Sequence, residues 1–415
     1  MSPAVSSPLD VEHLRTRFPA LQRTIAGRPV AHLDGPAGSQ TPQSVIDAMA
    51  NRLAAGASNL GGAFPVSAET VDLVADARAA VADLVGGDPG EIVFGQNMTS
   101  LTFAMSRAIA REWGPGDEVV VTALAHDANV APWRLAAADR GTTVRLADIR
   151  PDDGALDLRS LEEVITGRTR LVAVTAASNA LGTVTPLPEI IEMAHRAGAL
   201  VYVDAVHFSA HRISDVRALD GDFLAASAYK FFGPHTGLLW GKAEHLERFS
   251  PYKVAPAPDL GPGKWETGTQ SFESLAGVHA AVDYLASLGD GASRRARLES
   301  AFGAIRSHEE SLIARFLAGT AEMPGVTVYG ITDASRAAER VSTFAVDVAG
   351  VPARQAATEL GRRGIFVWDG HYYAVAVMER LGLADRGGLV RVGFLHYNTA
   401  EEVDRVLAAL DELAG

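Results

Sequence analysis

The chain lacks cysteine and has few lysines. Its 415 residues contain no cysteine, which excludes disulfide bonds, thiolate metal sites and any mechanism with a cysteine nucleophile or persulfide. Lysine occurs only at Lys230, Lys242, Lys253 and Lys264, although the chain has 37 basic residues. A reaction that needs a neutral amine therefore has few side chains to draw on.

Excess positive charge and long apolar runs are also missing. The formal net charge is −13, so we expect no nucleic-acid partner, because the phosphate backbone would be repelled. No uninterrupted apolar stretch reaches the length of a membrane span, and segment 1–19 lacks the apolar core of a signal peptide. The histidines show no zinc-ligand spacing. We therefore expect a cytoplasmic protein without a membrane partner or a metal.

The composition is that of a globular protein, with 47% hydrophobic and 21% charged residues. Between about residues 30 and 240, helical patterns alternate with short apolar runs typical of parallel strands buried on both faces. These runs are 91–95, 117–122, 169–175, 199–204 and 222–227. The alternation predicts an α/β fold with a mostly parallel sheet flanked by helices.

A second group of apolar runs follows, which indicates a further, smaller α+β domain. The runs are 342–348, 364–368 and 388–394, with a helical pattern at 400–414. We predict an N-terminal arm at 1–30 that packs on the small domain, a large domain at 31–285 and the small domain at 286–415. Segment 250–268 is rich in proline and glycine and predicts a long functional loop.

Unusual polar residues follow the predicted strands of the large domain. Because ligands bind beyond the carboxyl ends of the strands in an open α/β sheet, we expect these residues to converge on one crevice. They are His126 and Asn129, Ser178 and Asn179, Asp204 and His207, and Ser227, Tyr229 and Lys230. Each alone has an ordinary explanation, such as a cap, a core histidine or a surface lysine. A carboxylate, an imidazole and a lysine on neighbouring strand ends are harder to explain in that way.

Pyridoxal phosphate chemistry needs this combination of side chains. A lysine amine holds the cofactor covalently, and a carboxylate beside the pyridine nitrogen keeps the ring an electron sink. An aromatic face packs the ring, while hydroxyls and backbone N–H groups hold the phosphate.

The same residues carry a resemblance to a known family. The chain resembles the class V aminotransferases of fold type I, within them the cysteine desulfurase-like branch, over nearly its whole length. The segments that carry the resemblance are SNALGT (178–183), Asp204–His207, AYKFFGP (228–234), WETGT (265–269) and the Arg391 strand with its YNT motif. The resemblance implies the fold type I architecture, a pyridoxal phosphate cofactor and an amino-acid substrate.

The resemblance also implies roles for single residues around the cofactor ring. Lys230 matches the lysine that binds the cofactor and later moves protons, and Asp204 matches the partner of the pyridine nitrogen. His126 matches the residue stacked on the ring. His207 stands where the family usually has a glutamine that hydrogen-bonds the phenolic oxygen.

Further positions match the phosphate and carboxylate sites of the family. Thr99, Ser227 and Tyr229 fall on phosphate-binding positions. Thr269 matches a threonine that reaches the phosphate of a neighbouring subunit, which implies a homodimer with active sites at the interface. Asn179 and Arg391 match the residues that hold the substrate carboxylate, where a guanidinium makes a bidentate clamp.

One departure from the family changes the expected reaction. Desulfurases of this branch carry a catalytic cysteine on a small-domain loop, and Tyr373 occupies that position here. Trp368, His371, Tyr372 and Tyr373 could each supply a second acid, although Trp368 and Tyr372 are expected to be core aromatics. Tyr373 is the candidate for protonating a leaving sulfur or the opposite face of Cα.

These residues predict an enzyme that begins by removing the Cα proton of an amino acid. The leading hypothesis is a C–S lyase acting on a cysteine derivative by β-elimination, without a persulfide. An amino-acid epimerase resembling the isopenicillin-N epimerase-like members is the alternative, followed by an aminotransferase or a decarboxylating enzyme. A non-catalytic cofactor-binding protein would have no use for the carboxylate clamp.

Overall fold

The structure is a computed structural model that describes residues 9–25, 27–56 and 58–415. The first eight residues of the predicted N-terminal arm lie outside it. Its strands are β1 Thr24–Ile25, β2 Arg28–Pro29, β3 Ala31–His32, β4 Ile92–Gly95, β5 Glu118–Thr122, β6 Thr143–Ala147, β7 Thr169–Thr175, β8 Leu200–Asp204, β9 Phe223–Ser227, β10 Gly237–Gly241, β11 Val326–Tyr329, β12 Thr343–Val348, β13 Ile365–Phe366, β14 Trp368–Gly370 and β15 Leu389–Gly393. Its α-helices are α1 Val11–Arg15, α2 Gln43–Ala54, α3 Pro65–Val85, α4 Met98–Ile109, α5 Ala131–Arg140, α6 Leu158–Val164, α7 Leu187–Arg196, α8 Val216–Leu219, α9 Ala243–Arg248, α10 Phe272–Ala286, α11 Arg294–Ala321, α12 Ala353–Arg362, α13 Val375–Arg380 and α14 Ala400–Ala414.

A seven-stranded sheet organises the larger part of the chain. Its strand order is β4-β10-β9-β8-β7-β5-β6. The pairs from β9 to β6 are all parallel, whereas β10 runs antiparallel to both of its neighbours. The α/β fold with a mostly parallel sheet is therefore confirmed, and the sheet brings the carboxyl ends of β5, β7, β8 and β9 to one edge.

The five predicted strands of this sheet form because their side chains are apolar on both faces. Every residue of β5, β8 and β9 except Leu200 is buried, as parallel strands covered by helices require. Two further strands had no sequence prediction. β6 is an edge strand with alternating exposure, and β10 follows a Gly/Pro turn after Lys230.

A four-stranded antiparallel sheet, with order β11-β12-β15-β14, forms the C-terminal region. The predicted run 364–368 divides into two strands, since β13 pairs with β3 and β14 pairs with β15. The β3–β13 pairing ties residues near the N-terminus to this region, and Arg15 adds an ion pair to Glu402 at 3.0 Å. The boundaries at residues 30 and 285 remain a proposal.

Helix ends and loops agree with the local sequence signals. α3 stops at Gly86, which adopts a left-handed conformation with φ 76° and caps the helix. Segment 250–268 is irregular apart from one short turn of helix at Pro262–Lys264. Among the described residues, none of the helices combines the length and apolar character that crossing a bilayer demands.

Candidate active site

Four neighbouring strands deliver the polar residues that the sequence singled out. His126 follows β5, Asn179 follows β7, Asp204 ends β8, and Lys230 lies three residues after the end of β9. Since β5, β7, β8 and β9 are adjacent and parallel, their carboxyl ends open on one crevice.

Lys230 is a buried amine. Its side chain is 8% exposed, and Nζ donates a hydrogen bond to the carbonyl of Pro36 in the turn after β3. Burial, together with the nearby Arg391 cation, lowers the pKa of Lys230 to about 7, and Asp204 opposes the shift. A substantial fraction of this amine is therefore neutral near pH 7, as a nucleophile and base must be.

Asp204 is a buried carboxylate beside that amine. Its Oδ1 accepts a hydrogen bond from the backbone N–H of Val206 at 2.9 Å. Burial raises the pKa of Asp204 to about 6, although the Val206 hydrogen bond and the charge of Lys230 act in the opposite direction. No hydrogen bond or ion pair joins Asp204 to a cationic side chain in the described parts of the chain. The carboxylate thus lacks a neutralising partner of its own.

His126 lies across the crevice, and an aromatic side chain packs on its ring. The ring of Tyr373 stacks on it, with 5.3 Å between centroids and 27° between planes. The Nδ1 of His126 accepts a hydrogen bond from the N–H of Ala128. Burial, together with the cations Lys230 and Arg391, lowers the pKa of His126 to about 4. The imidazole is therefore neutral at pH 7 and presents an aromatic face.

His207 belongs to a buried polar cluster that joins the two sheets. Its Nε2 is hydrogen-bonded to Thr343 Oγ1 at 2.9 Å, and its ring packs edge-on against His211. His211 in turn contacts Glu309 of α11 at 2.8 Å. Burial and the neighbouring His211, Lys230 and Arg391 lower the pKa of His207. A neutral His207 can donate one hydrogen bond, as the expected contact with a phenolic oxygen requires.

Arg391 and Asn179 form a second part of the crevice. Arg391 is 5% exposed, its Nη1 donates to the backbone carbonyl of Asn179 at 2.9 Å, and its guanidinium lies 4.5 Å from the ring centre of Tyr372. The Nε of Arg391 and the Oδ1 of Asn179 are buried without hydrogen-bond partners in the part of the chain described. Polar atoms left in this way are suited to a ligand that completes their bonding.

Two of the phosphate candidates, Thr99 and Ser227, lie at the start of α4. The N–H of Met98 donates to Ser227 Oγ at 2.9 Å, which places Ser227 against the first turn of the helix, where Thr99 is exposed. A Cβ at Gly237 would lie 2.4 Å from the backbone of Asn97, so only glycine permits this close approach. Tyr229 stacks on His235, with ring centroids 4.9 Å apart.

Thr269 does not join this group of side chains. It is exposed, and its hydroxyl accepts a long 3.5 Å hydrogen bond from Asn59. It lines a surface cavity with Gln96 and Thr236 instead of the crevice at Lys230. The expected reach of Thr269 into a neighbouring subunit remains a proposal.

Three residues near the crevice had no sequence prediction. Asp34 has an Oδ1 without a hydrogen-bond partner among the described residues, Pro36 accepts the hydrogen bond from Lys230, and Thr343 is hydrogen-bonded to His207. The turn HLDGPAG, with a carboxylate between an apolar strand and a Gly/Pro turn, is the one local signal that could have indicated the first two. The expectation that Trp368 is a core aromatic is wrong, because its side chain is 52% exposed, whereas Tyr372 is buried.

The residues present fit pyridoxal phosphate. The buried carboxylate of Asp204 needs a cation, and a protonated pyridine nitrogen provides one. The partly neutral Lys230 can hold the cofactor covalently, and the neutral ring of His126 offers it a packing surface.

The comparisons with known proteins agree with this fit. The sequence model of the Aminotransferase class-V family matches residues 31–406. A cysteine desulfurase of Dickeya dadantii is 33% identical over 419 residues, which cover 97% of this chain and 96% of that protein.

Solved structures show the same relationship. The apo structure of a cysteine desulfurase from Thermococcus onnurineus has a TM-score of 0.88 at 27% identity and covers 99% of both chains. A C-DES variant with glycine covalently linked to its PLP cofactor has a TM-score of 0.79 at 20% identity, covering 96% of this chain and 99% of that one, and supports the fold alone. Enzymes of the class V family carry pyridoxal phosphate. This chain belongs to the class V aminotransferases, a family of pyridoxal-phosphate-dependent enzymes.

Proposed function

We propose that this protein is a C–S lyase that cleaves a cysteine derivative by β-elimination without forming a persulfide. The observation that carries the proposal is the stack of Tyr373 on His126. By its position in the sequence, Tyr373 stands where the resemblance leads us to expect a catalytic cysteine, in a chain that has no cysteine.

Substrate binding is assigned to Arg391 and Asn179. The guanidinium of Arg391 is buried, with Nε left free among the described residues, and a carboxylate would satisfy it in a bidentate manner. A carboxylate held by these two residues would fix the orientation of the substrate about Cα and so select the bond that breaks.

Proton removal is assigned to Lys230. When bound, pyridoxal phosphate supplies an electron sink for the pair left at Cα. With a pKa of about 7, the free amine of Lys230 can accept the Cα proton at neutral pH. Asp204 would hold the pyridine nitrogen of the bound cofactor and keep it protonated.

The elimination step then breaks the bond between Cβ and sulfur. The electron pair from the Cα–H bond forms the Cα–Cβ double bond, and sulfur leaves with the pair of the C–S bond. The phenol of Tyr373 donates the proton that makes the leaving group a thiol. The released enamine takes up water to give pyruvate and ammonia, so the sum is one cysteine conjugate and one water to one thiol, one pyruvate and one ammonium.

The experiment incubates the cofactor-loaded protein in heavy water with a pool of amino acids and cysteine conjugates, and identifies products by mass spectrometry. Equal amounts of thiol and keto acid support the lyase. Tyr373→Phe keeps the ring stack and removes the hydroxyl, so the elimination rate is expected to fall about 10²-fold or more. Tyr329→Phe, on the edge strand β11, is the control for loss of a phenol elsewhere in the chain.

Two other sets of products would contradict the lyase and indicate a different reaction. Deuterium at Cα with inverted configuration and no keto acid would establish the epimerase instead. Keto acid without a released thiol, formed only once per cofactor, would indicate transamination.

A homodimer is part of the proposal. Several large apolar side chains of the described residues are exposed, among them Leu53, Phe64, Val71, Tyr252 and Leu260, and burying them between two copies of the chain would be favourable. Light scattering of the cofactor-loaded protein tests this, since a monomer at micromolar concentration would contradict it. The cytoplasm is the proposed location and rests on the sequence alone.

A further inference from the structure

Trp368 differs from the other tryptophans in its exposure. All five tryptophans lie in the described part of the chain, and Trp113, Trp133, Trp240 and Trp265 are at most 8% exposed, whereas Trp368 is 52% exposed. Burying an indole from solvent would stabilise the fold substantially. An exposed tryptophan therefore suggests that the side chain has another role.

Trp368 lies beside the carboxylate clamp. Trp368 of β14 is directly opposite Arg391 of β15 in an antiparallel pair, and residues that face each other in this way project from the same side of the sheet. A ligand whose carboxylate reached Arg391 would therefore have Trp368 as a close neighbour.

Trp368 also lines an open groove. The other walls include Ile46 and Met49 of α2, Ser39, Asp34 and Tyr229. The ring centre of Tyr229 lies 5.0 Å from Lys230 Nζ, so the groove borders the crevice. Ile46 is 40% exposed, which gives the groove apolar surface on the wall formed by α2 as well as at Trp368.

We propose that this groove receives the side chain of the substrate, and that the substrate is an amino acid with a bulky aromatic group beyond Cβ. This inference rests on the proposed function, in which that group is carried on the leaving sulfur. Trp368 is then a specificity residue: it contacts the leaving group and takes no part in the proton transfers. The apolar walls bind a benzyl-sized group and leave a methyl group with little to contact.

Kinetics with two substrates test the inference. The probes are S-benzyl-cysteine and S-methyl-cysteine, acted on by the cofactor-loaded enzyme. Trp368→Ala is expected to lower kcat/KM for the benzyl compound about tenfold, mainly through KM, and to leave the methyl compound within about twofold. Trp368→Phe keeps an aromatic surface and is expected to recover most of the loss. An equal loss for both substrates would overturn the inference.

Fluorescence gives a readout that does not need turnover. An α-methyl analogue of S-benzyl-cysteine has no Cα proton to lose, so it binds without reacting. Because the other four tryptophans are buried, acrylamide quenches chiefly Trp368, and the analogue is expected to protect it. The Trp368→Phe variant is expected to lack the acrylamide-sensitive emission.

The outcomes separate the inference from the proposed function. If no thiol is released from either probe but the analogue protects Trp368, the groove binds as inferred and the lyase reaction is wrong. If thiol is released from both and Trp368→Ala does not discriminate between them, the lyase stands and the inference is overturned. Emission that acrylamide cannot reach in the ligand-free enzyme would show that a second copy of the chain covers the groove, which also overturns it.

Discussion

The ring of Tyr373 covers the imidazole of His126, with 5.3 Å between their centroids. Tyr373 reaches this position from a backbone in the left-handed region, at φ 59°, next to Tyr372 at φ 52°. Bulky residues rarely adopt that conformation. The backbone N–H of Tyr373 donates to His371 within the same loop, and its carbonyl accepts from the N–H of Asp127, next to His126, so these two hydrogen bonds hold the loop there.

Removing the Tyr373 ring is expected to raise the pKa of His126. Burial is the main cause that lowers this pKa to about 4, and the stacked ring contributes to the burial. In Tyr373→Gly, whose backbone tolerates the positive φ, the pKa should move toward the ordinary 6.5. NMR titration of cofactor-free protein measures it. Tyr373→Phe keeps the ring and should leave the pKa where it is.

The rate at which cofactor-free protein captures pyridoxal phosphate should report the pKa of Lys230. Because only the neutral amine reacts, the rate should rise with pH up to about 7 and level off above it. An ordinary lysine, with a pKa of 10.5, would give a rate still rising at pH 9. Lys230→Ala should abolish the yellow absorbance of the cofactor bound to the lysine. Lys242 forms an ion pair with Asp220, and Lys242→Ala should leave this absorbance unchanged.

Asp204→Asn should stabilise the cofactor-free protein at pH 8 while weakening cofactor binding. The pKa of Asp204 is raised to about 6 in the folded state, so between pH 3.8 and 6 the folded chain binds more protons than the unfolded chain. Stability therefore falls as pH rises through that window, and the loss is complete above it. Because asparagine has no charge to bury, the variant does not lose this unfolding free energy, which is at most about 3 kcal/mol.

Urea unfolding at pH 8 and at pH 4 measures this effect. The difference between Asp204→Asn and the wild type should be largest at pH 8 and shrink at pH 4. Equal stabilities at pH 8 would contradict the buried charge assigned to Asp204.

Arg391→Leu should raise KM for amino-acid substrates by about 10²-fold or more, since hydrogen bonds to charged groups contribute about 1.5–3 kcal/mol each. Steady-state kinetics on the substrate found in the product screen gives the value. The same reaction on an amine that lacks the carboxylate should be unaffected. Arg386→Leu, at an exposed ion pair with Asp347, serves as the control and should behave like the wild type.

Glu309→Ala should destabilise the protein strongly. Glu309 and His211 are hydrogen-bonded at 2.8 Å, with side chains only 4% and 1% exposed. Loss of one partner leaves the other buried with its hydrogen bond unmade, at a cost of about 1–3 kcal/mol. The neighbouring Glu310 forms an exposed pair with Arg306, so Glu310→Ala should change the unfolding free energy, measured in urea, by less than about 0.5 kcal/mol.

The sequence predicted the strands of the large sheet well because their signal is local. An apolar run such as 169–175 is buried on both faces in any parallel sheet, and the residue at its carboxyl end then lies at the ligand-binding edge. Lys230, Asp204 and His126 could be named for that reason. The edge strand β6 was missed because its alternating exposure resembles a surface segment.

Contacts between distant segments could not be predicted in this way. Thr343 reaches His207 across 136 positions of sequence, and Asn179 donates to the carbonyl of Tyr372 across 193. No local pattern encodes such pairs, because they arise when two sheets pack together.

The sequence alone determined the class of chemistry: a lysine, a carboxylate and an imidazole at neighbouring strand ends, and no cysteine for a persulfide. The tertiary structure decided how those groups behave. Burial moves the pKa of Lys230 down to about 7 and that of Asp204 up to about 6, because desolvation acts on whatever packs around a charge. Packing likewise decided that Trp368 faces solvent beside Arg391, since the pairing of β14 with β15 depends on residues far apart in the chain.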